Sequence, residues 1–299
     1  MITVTNPSRV LYPETGHTKG QIVDYYRRAA TRLLPHLSHR PLTIHRFPRG
    51  VGQKGFFQKN APAHYPDYIE RIELPRQGGV TVHPCVHDAD GIVFIANQGA
   101  IELHIPIVRA PKLYYPDRLI LDLDPPSGEV ALVREAAHTA RAELDAFGIM
   151  TLPVATGAKG YHLVAAIEPS MDLGAVGTAM HKFATLLVHR HPALFTGAFR
   201  IKERGRRVFV DWLRNRYGAT AIAPYSLRAR PRPSIAVPLV WDELDEKAPD
   251  AFDIDAIDLE RADPLLELAP IDARAPLAAI ERAFDEAALE LEAFDRFRS

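Results

Sequence analysis

Two aspartates one residue apart, Asp122 and Asp124, close an otherwise aliphatic run, LILDLD, just ahead of Pro125 and Pro126. The run reads as a β-strand. Side chains at i and i+2 of a strand share a face, so both carboxylates point the same way while Leu121 and Leu123 point into the opposite layer. Neighbouring carboxylates repel each other unless a proton or a cation lies between them. A bare D-x-D fits equally well an edge strand whose polar face meets water. A third acid adds weight to the chemical reading: Asp211 ends the Val-Phe-Val run of RVFVDWLRN, with Arg207 and Arg214 on either side. Three carboxylates at strand ends could hold two divalent cations. Two ions about 3.5–4 Å apart can stabilise both the attacking and the leaving oxygen of an in-line phosphoryl displacement. All-oxygen ligands favour Mg²⁺ or Mn²⁺ over zinc. Asp211 taken alone fits a buried acid paired with a neighbouring arginine.

A second group of chemical residues is TGAKGYH, residues 156 to 162. Its glycines allow a tight turn that exposes backbone N–H groups. Thr156 offers a hydroxyl, Lys159 a point charge and His162 a ring N–H, which together could cradle a triphosphate. The spacing is not that of a P-loop, and a Gly-Lys-Gly turn is by itself commonly just a hairpin. His104 in IELHIP and Arg228 in PYSLRAR lie on short apolar segments. Each also fits a bland role, a satisfied core histidine and one cation of a solvated basic edge with Arg230 and Arg232.

The elements that must position these residues can be read from pattern. HTKGQIVDYYRRAATRLLPHL is predicted helical, opened by a capping box of Thr18 and Gln21. TIHRFPRG and GFFQKNAP are expected as short strands or loops. GIVFIANQGAIELHIPIV is expected to hold a buried strand followed by an alternating one. EVALVREAAHTARAELDAFG reads as a helix ending at Gly148, and MTLPVATGAKGYHLVAAIE as strand, turn, strand. MDLGAVGTAMHKFATLLVHRH reads as a helix, FRIKERGRRVFVDWL as a basic hairpin running into a strand, and the chain from Ala248 onward as mostly helical. Sheets with helices packed on them, not strictly alternating, predict an α+β fold.

Composition sets the outer bounds. The 299 residues are 47% hydrophobic and 24% charged, an ordinary globular balance without repeats. The single cysteine, Cys85, cannot form an internal disulfide and fits a reducing, cytoplasmic setting as a packed or surface thiol. No signal pattern and no membrane span is evident. The net charge of −1 conceals an asymmetry: residues 1–240 hold 30 basic and 19 acidic residues, residues 241–299 hold 6 and 18. A basic body suggests a polyanionic partner, and the acidic tail reads as a solvated helical face.

Taken together and in order, LILDLDPP, TGAKGYHL, VFVDWLRN and IAPYSLRAR resemble the primase-polymerase domains of bacterial ligase D, relatives of the archaeo-eukaryotic primases. NPSRVLYP, TKGQIVDYY, GFFQKNAP and IELHIP resemble the N-terminal half of the same family, so the likeness runs from about residue 4 to 245. The resemblance implies a single primase-like domain: an α+β catalytic core of sheets flanked by helices, about residues 1–245, followed by an acidic helical segment, about 246–299. It implies that Asp122, Asp124 and Asp211 bind two Mn²⁺ or Mg²⁺ ions, and that His104, Thr156, Lys159, His162 and Arg228 contact an incoming NTP or dNTP. It further implies that Phe56 and Phe57 stack near the templating base, that Arg9 and Lys19 hold a 5′-phosphate across a gap or break, and that RIKERGRR helps align two DNA ends. Thr156 stands where the family usually has Ser, keeping the hydroxyl, and Arg9 where Lys is common, keeping the charge. The ligase and phosphoesterase domains of full ligase D are not in the sequence, so a stand-alone or split polymerase is expected, with Ku and a separate ligase as partners.

The expected activity is template-dependent addition of nucleotides to primer 3′ ends in break or gap repair by non-homologous end joining. Two rivals are a haloacid-dehalogenase-like phosphatase, which also starts from a strand-end D-x-D but wants Thr or Val where Pro126 stands, and a non-catalytic module that bridges DNA ends.

Overall fold

The computed structural model describes residues 2 to 291. Its centre is a six-stranded sheet in the spatial order Phe195–Thr196, Val208–Asp211, Arg118–Asp124, Tyr161–Ala166, Leu152–Ala155, Val237–Pro238. Only the first pair is parallel. The strand carrying Asp122 and Asp124 is therefore interior, with neighbours on both sides, and not the edge strand that a bare D-x-D allows. Leu121 and Leu123 are buried beneath it, as the alternation requires. A four-stranded antiparallel sheet, in the order Ala221–Ile222, Ala100–Ile105, Thr43–Arg46, Phe56–Gln58, lies beside it. A two-stranded hairpin, Glu70–Arg76 with Gly79–Cys85, adds a third β unit.

The helices cover these sheets. Thr18 caps the helix Lys19–Arg28 in a capping box with Gln21, as the sequence predicts. The predicted single helix is two: the chain re-enters helix at Ala30–Leu37, with Pro35 inside the second piece, where it has no N–H to donate. The long helices Val130–Ala146 and Leu173–Arg190 fall where periodicity places them. One large buried cluster runs from Leu11 to Phe284.

Three local expectations are corrected. GIVFIAN is not a strand. Residues Ala89–Asn97 form a helix, because Asp88 caps its start by accepting from the Gly91 N–H and Gly99, at φ +82°, lets the chain turn out of it. A short apolar run buried on most sides carries no periodicity to tell the two states apart. The basic hairpin is a loop with one helical turn, Ile201–Arg204, in which Arg204 donates to the Ala198 and Phe199 carbonyls and covers the Phe209 ring at 3.9 Å. The acidic segment is irregular through residue 240–263 apart from Trp241–Glu246; after a single turn at Pro264–Glu267 it forms the helix Arg274–Glu286. That helix is not a solvated face alone. Leu277, Ile280 and Phe284 are buried against the body. Three such side chains contribute at most about 5–9 kcal/mol. Residues 292–299 of the tail lie outside the described residues. Among the described residues no helix is long and apolar enough to cross a membrane.

Candidate active site

Sheet register brings the acids together. Asp122 is the direct cross-strand partner of Asp211 on one side and of His162 on the other. Beyond Asp211 the strand ends in an Asx-type turn: its Oδ1 accepts from the Leu213 N–H at 2.9 Å. Asn215, fully buried, then pairs with the backbone of Ile120 through both ends of its amide, at 2.9 Å and 2.6 Å. This side chain takes the place of a strand neighbour and pins the Asp211–Arg214 turn onto the Asp122 strand. Arg214 is thereby aimed between two of the acids, 2.9 Å from Asp122 Oδ2 and 3.3 Å from Asp211 Oδ2.

The electrostatics follow from that placement. Burial would raise the Asp122 carboxyl, but His162 at 3.5 Å and Arg214 outweigh it and hold Asp122 below the usual carboxylate range. Burial and the charge of Asp122 push Asp124 up against the weaker pull of Lys159 at 3.9 Å. Burial pushes Asp211 up too, with Asp122 adding to it and Arg214 opposing. Two carboxyls held above their normal range by burial and a shared neighbour mark a deficit of positive charge. A divalent cation would relieve it, and the donors are all hard oxygens. The three aspartates thus fit Mg²⁺ or Mn²⁺ chemically.

A cleft of about 130 Å³ adjoins the acids. His104, Asp122, Asp124, Thr156, Lys159, His162 and Arg228 all line it, so seven of the eight residues expected to bind metal or nucleotide converge on one space, with Asp211 directly across the ladder from Asp122. The turn 156–160 is built without slack. Thr156 Oγ1 donates to the Gly160 carbonyl at 2.6 Å, and Ser234 Oγ donates to the Gly157 carbonyl at 2.6 Å. The Thr156 hydroxyl proton therefore closes the turn. A Cβ on Gly160 would lie 2.1 Å from the Leu123 carbonyl oxygen, so only glycine permits the turn to pack on the Asp124 strand. Lys159 leans back over that strand and donates to the Pro125 carbonyl at 3.1 Å.

The four-stranded sheet supplies the other wall. Phe56 and Phe57 are both exposed, at 48% and 58%, so neither is a core residue. Phe57 stacks on His45 at 4.0 Å with an interplanar angle of 13° and meets His104 edge-on at 5.6 Å. The Arg46 guanidinium covers Phe56 at 5.4 Å. Arg9 and Lys19 lie outside the cleft, near Arg46. Lys19 is buried in the first turn of its helix and donates to Thr5 O and Oγ1 at 2.7 Å and 2.8 Å. Burial, then Arg9 and Arg46, lower its pKa. Arg9 donates to the Pro48 carbonyl at 2.9 Å.

Residues that sequence reading passed over also shape the site. Glu102, His45 and Arg46 had no assigned role, and Arg214 was noted only as a flank of Asp211. The signal for Glu102 was its place two residues before His104 on the same strand. Among the described residues two clusters hold three ligand-type atoms within 4.8 Å of one another, and the aspartate triad, into which Arg214 reaches, is not one of them. In His45–Glu102–His104 the carboxylate is already bonded to the Arg228 guanidinium at 3.0 Å, which opposes a second cation. His39–Glu70–His87 is exposed at the foot of the hairpin, and its His87 and Glu70 are closed on each other at 2.5 Å.

Residues 18–265 match the family model of the LigD primase-polymerase domain. The chain belongs to this family. The match reaches some twenty residues past the limit near 245 that the motifs suggest. The chain is 36% identical over 286 residues to the multifunctional non-homologous end joining protein LigD of Mycolicibacterium smegmatis, covering 93% of this chain and 37% of that protein. To the LigD of Mycobacterium tuberculosis it is 38% identical over 291 residues, covering 93% of this chain and 38% of that one. The bifunctional LigD of Bacillus subtilis is 30% identical, over 85% of this chain and 41% of its own length. The chain thus spans about two fifths of the length of these three relatives. Among solved structures, the polymerase domain of Mycobacterium tuberculosis ligase D in complex with DNA superposes with a TM-score of 0.77 at 34% identity, covering 94% of this chain and 95% of that one. The α+β architecture is that of the LigD polymerase domain.

Proposed function

We propose that this LigD-type primase-polymerase domain adds NTPs or dNTPs to primer 3′ ends under template direction, on gapped or broken DNA, with two Mn²⁺ or Mg²⁺ ions. The observation that carries the reading is the convergence of Asp122 and Asp124, opposite Asp211, with Thr156, Lys159, His162, His104 and Arg228 around one cleft. Three acids facing a cationic pocket suit transfer of a phosphoryl group, because both the nucleophile and the leaving group are anionic. When bound, the ions would lower the pKa of the primer hydroxyl and neutralise the departing pyrophosphate.

The chain's own residues bind and orient. Asp122, Asp124 and Asp211 would hold the ions. Lys159 and Arg228 supply charge-assisted contacts to the triphosphate, with His104 and His162. Phe56 and Phe57 offer exposed faces for a templating base, since stacking tolerates any base. Arg9 and Lys19 would hold a downstream 5′-phosphate at a helix N-terminus. The relatives named for non-homologous end joining make that pathway, with Ku and a ligase, the setting we favour. The family assignment and the charged cleft weigh against the phosphatase and the inert end-bridging module. Single-nucleotide insertion opposite each of the four templating bases tests the reading. Insertion that follows the template supports it, and insertion indifferent to the template, or none with either metal, overturns it.

A further inference from the structure

Glu102 lies at the centre of the Ala100–Ile105 strand with its side chain only 8% exposed. Both carboxylate oxygens are fully used. Oε2 accepts from His45 Nδ1 at 2.9 Å and from His104 Nε2 at 3.0 Å. Oε1 accepts from Arg228 Nε and from the Ala229 N–H, each at 3.0 Å. Burial would raise its pKa, but the bonds from His104 and His45 and the charge of Arg228 hold it well below the usual carboxylate range, so the group is an anion at any working pH. A buried charge kept in this way is costly unless every lone pair is satisfied, and here four donors satisfy them.

The four donors serve two different surfaces. His45, cross-strand partner of Glu102, carries Phe57 on its face, and Phe57 is one ring of the exposed aromatic platform. His104 and Arg228 line the nucleotide cleft, and Arg228 also donates to the Thr156 carbonyl at 3.2 Å, which ties it to the glycine turn. His104 touches both sides, since Phe57 meets it edge-on. One carboxylate thus joins the support of the platform and two cleft residues in a single hydrogen-bonded unit.

We propose that Glu102 is a positioning residue that couples the two surfaces, so that a base stacked on the Phe57 platform raises the affinity of the cleft for the triphosphate of the matching nucleotide. This rests on the polymerase reading above. Ordering of Phe57 by a stacked base orders His45 and His104, and Glu102 passes that order to Arg228. The second ligand then meets a cleft that is already arranged, which is the requirement for positive coupling between two sites.

The test is a linkage measurement on the full chain. The dissociation constant of a non-hydrolysable nucleoside triphosphate is measured with and without a primer–template that presents the complementary base, for the wild type, Glu102→Gln and Glu102→Asp. In Glu102→Gln the side chain keeps its size, but its amide can face only one pair of donors with an oxygen, so one side is released. Glu102→Asp keeps the charge and is too short to reach both sides. The wild type is expected to bind the triphosphate about 5- to 150-fold more tightly when the template is present, the usual range for coupled sites. In both variants that factor should fall to within about twofold of unity, with primer extension slowed mainly through a higher KM for nucleotide. A variant with a lower melting temperature but an undiminished coupling factor would assign Glu102 a purely structural role and overturn the proposal. Because two variants of different chemistry are used, misfolding of one leaves the other to decide. Should the wild type neither bind the triphosphate nor extend a primer, the polymerase reading itself fails; should it do both without coupling, only this proposal falls.

Discussion

Replacing Arg9 and Lys19 together with alanine should erase a preference for DNA carrying a downstream 5′-phosphate. Lys19 is a cation in the first turn of a helix, where the positive pole of the dipole disfavours it. Arg9 and Arg46 stand close enough to lower its pKa further. All three donate to neutral oxygens: Lys19 to Thr5, Arg9 to Pro48, Arg46 to Gln98 and Gln58. Three cations near a helix N-terminus, hydrogen-bonded to neutral dipoles, form a site where an anion gains. Arg9 is exposed, so its contact is worth about 0.5–1 kcal/mol. Lys19 is buried but must share its protons with Thr5, so its net gain is about 1–1.5 kcal/mol out of the 1.5–3 typical of a bond to a charged group. The sum, about 2 kcal/mol, is roughly thirtyfold in affinity. Fluorescence anisotropy with gapped DNA bearing a 5′-phosphate or a 5′-hydroxyl reads this directly. The wild type should prefer the phosphate about thirtyfold, with a salt slope steeper by about one for the extra neutralised phosphate. The double variant should bind both DNAs alike and still extend an ordinary primer. Equal wild-type affinity for the two DNAs would refute the reasoning.

Two further outcomes follow from local geometry. Gly160→Ala should weaken nucleotide use by at least about tenfold with smaller effect on DNA binding, because a Cβ 2.1 Å from the Leu123 carbonyl forces the Lys159 turn off the Asp124 strand; nucleotide titration of primer extension checks it. His181 stacks on Trp212 at 3.9 Å, and burial, then Arg216, lower its pKa from the ordinary 6.5 to about 4. Its folded pKa is depressed, so the stability it contributes is present above pH 6.5 and is lost as pH falls toward 4. The unscreened shift is about 3 kcal/mol, and partial exposure reduces this to roughly 1–2 kcal/mol. Urea titrations at pH 7 and pH 4.5 should show that loss in the wild type and a correspondingly smaller one in His181→Phe, which keeps the stack; identical losses would contradict the account.

Much of the site was legible because strand chemistry is local. The period of two placed Asp122 and Asp124 on one face, and the glycines of TGAKGYH announced a turn that no other residue permits. What stayed hidden depends on register and on tertiary burial. Nothing in the sequence states that Asp122 faces Asp211 across a ladder, or that Asn215 replaces a missing strand beside Ile120. Arg214 could be seen as a neighbour of Asp211 but not as the guanidinium shared with Asp122. Glu102 had no assigned role beside His104 on its own strand, and its role emerges only when His45 and Arg228 arrive from two other segments. The helix Ala89–Asn97 was misread as a strand because apolar side chains surround most of it, and the Asp88 cap was the one local sign. The loop at Ile201–Arg204 was misread because basic residues around Gly205 resemble a hairpin tip, whereas Arg204 is held by carbonyls and by Phe209.

The most direct test of a metal-dependent polymerase site built on the aspartate triad is nucleotide addition and DNA binding measured side by side for the wild type, Asp122→Asn and Asp124→Asn. Each substitution removes the charge of an oxygen proposed to hold an ion while keeping the side chain's shape. Extension of a templated primer with Mn²⁺ or Mg²⁺ should fall at least about a thousandfold, the several kcal/mol that metal-held charge stabilisation supplies. Affinity for the same DNA should stay within about threefold, because cationic contacts to phosphates carry it. Either variant extending the primer at the wild-type rate would contradict the account.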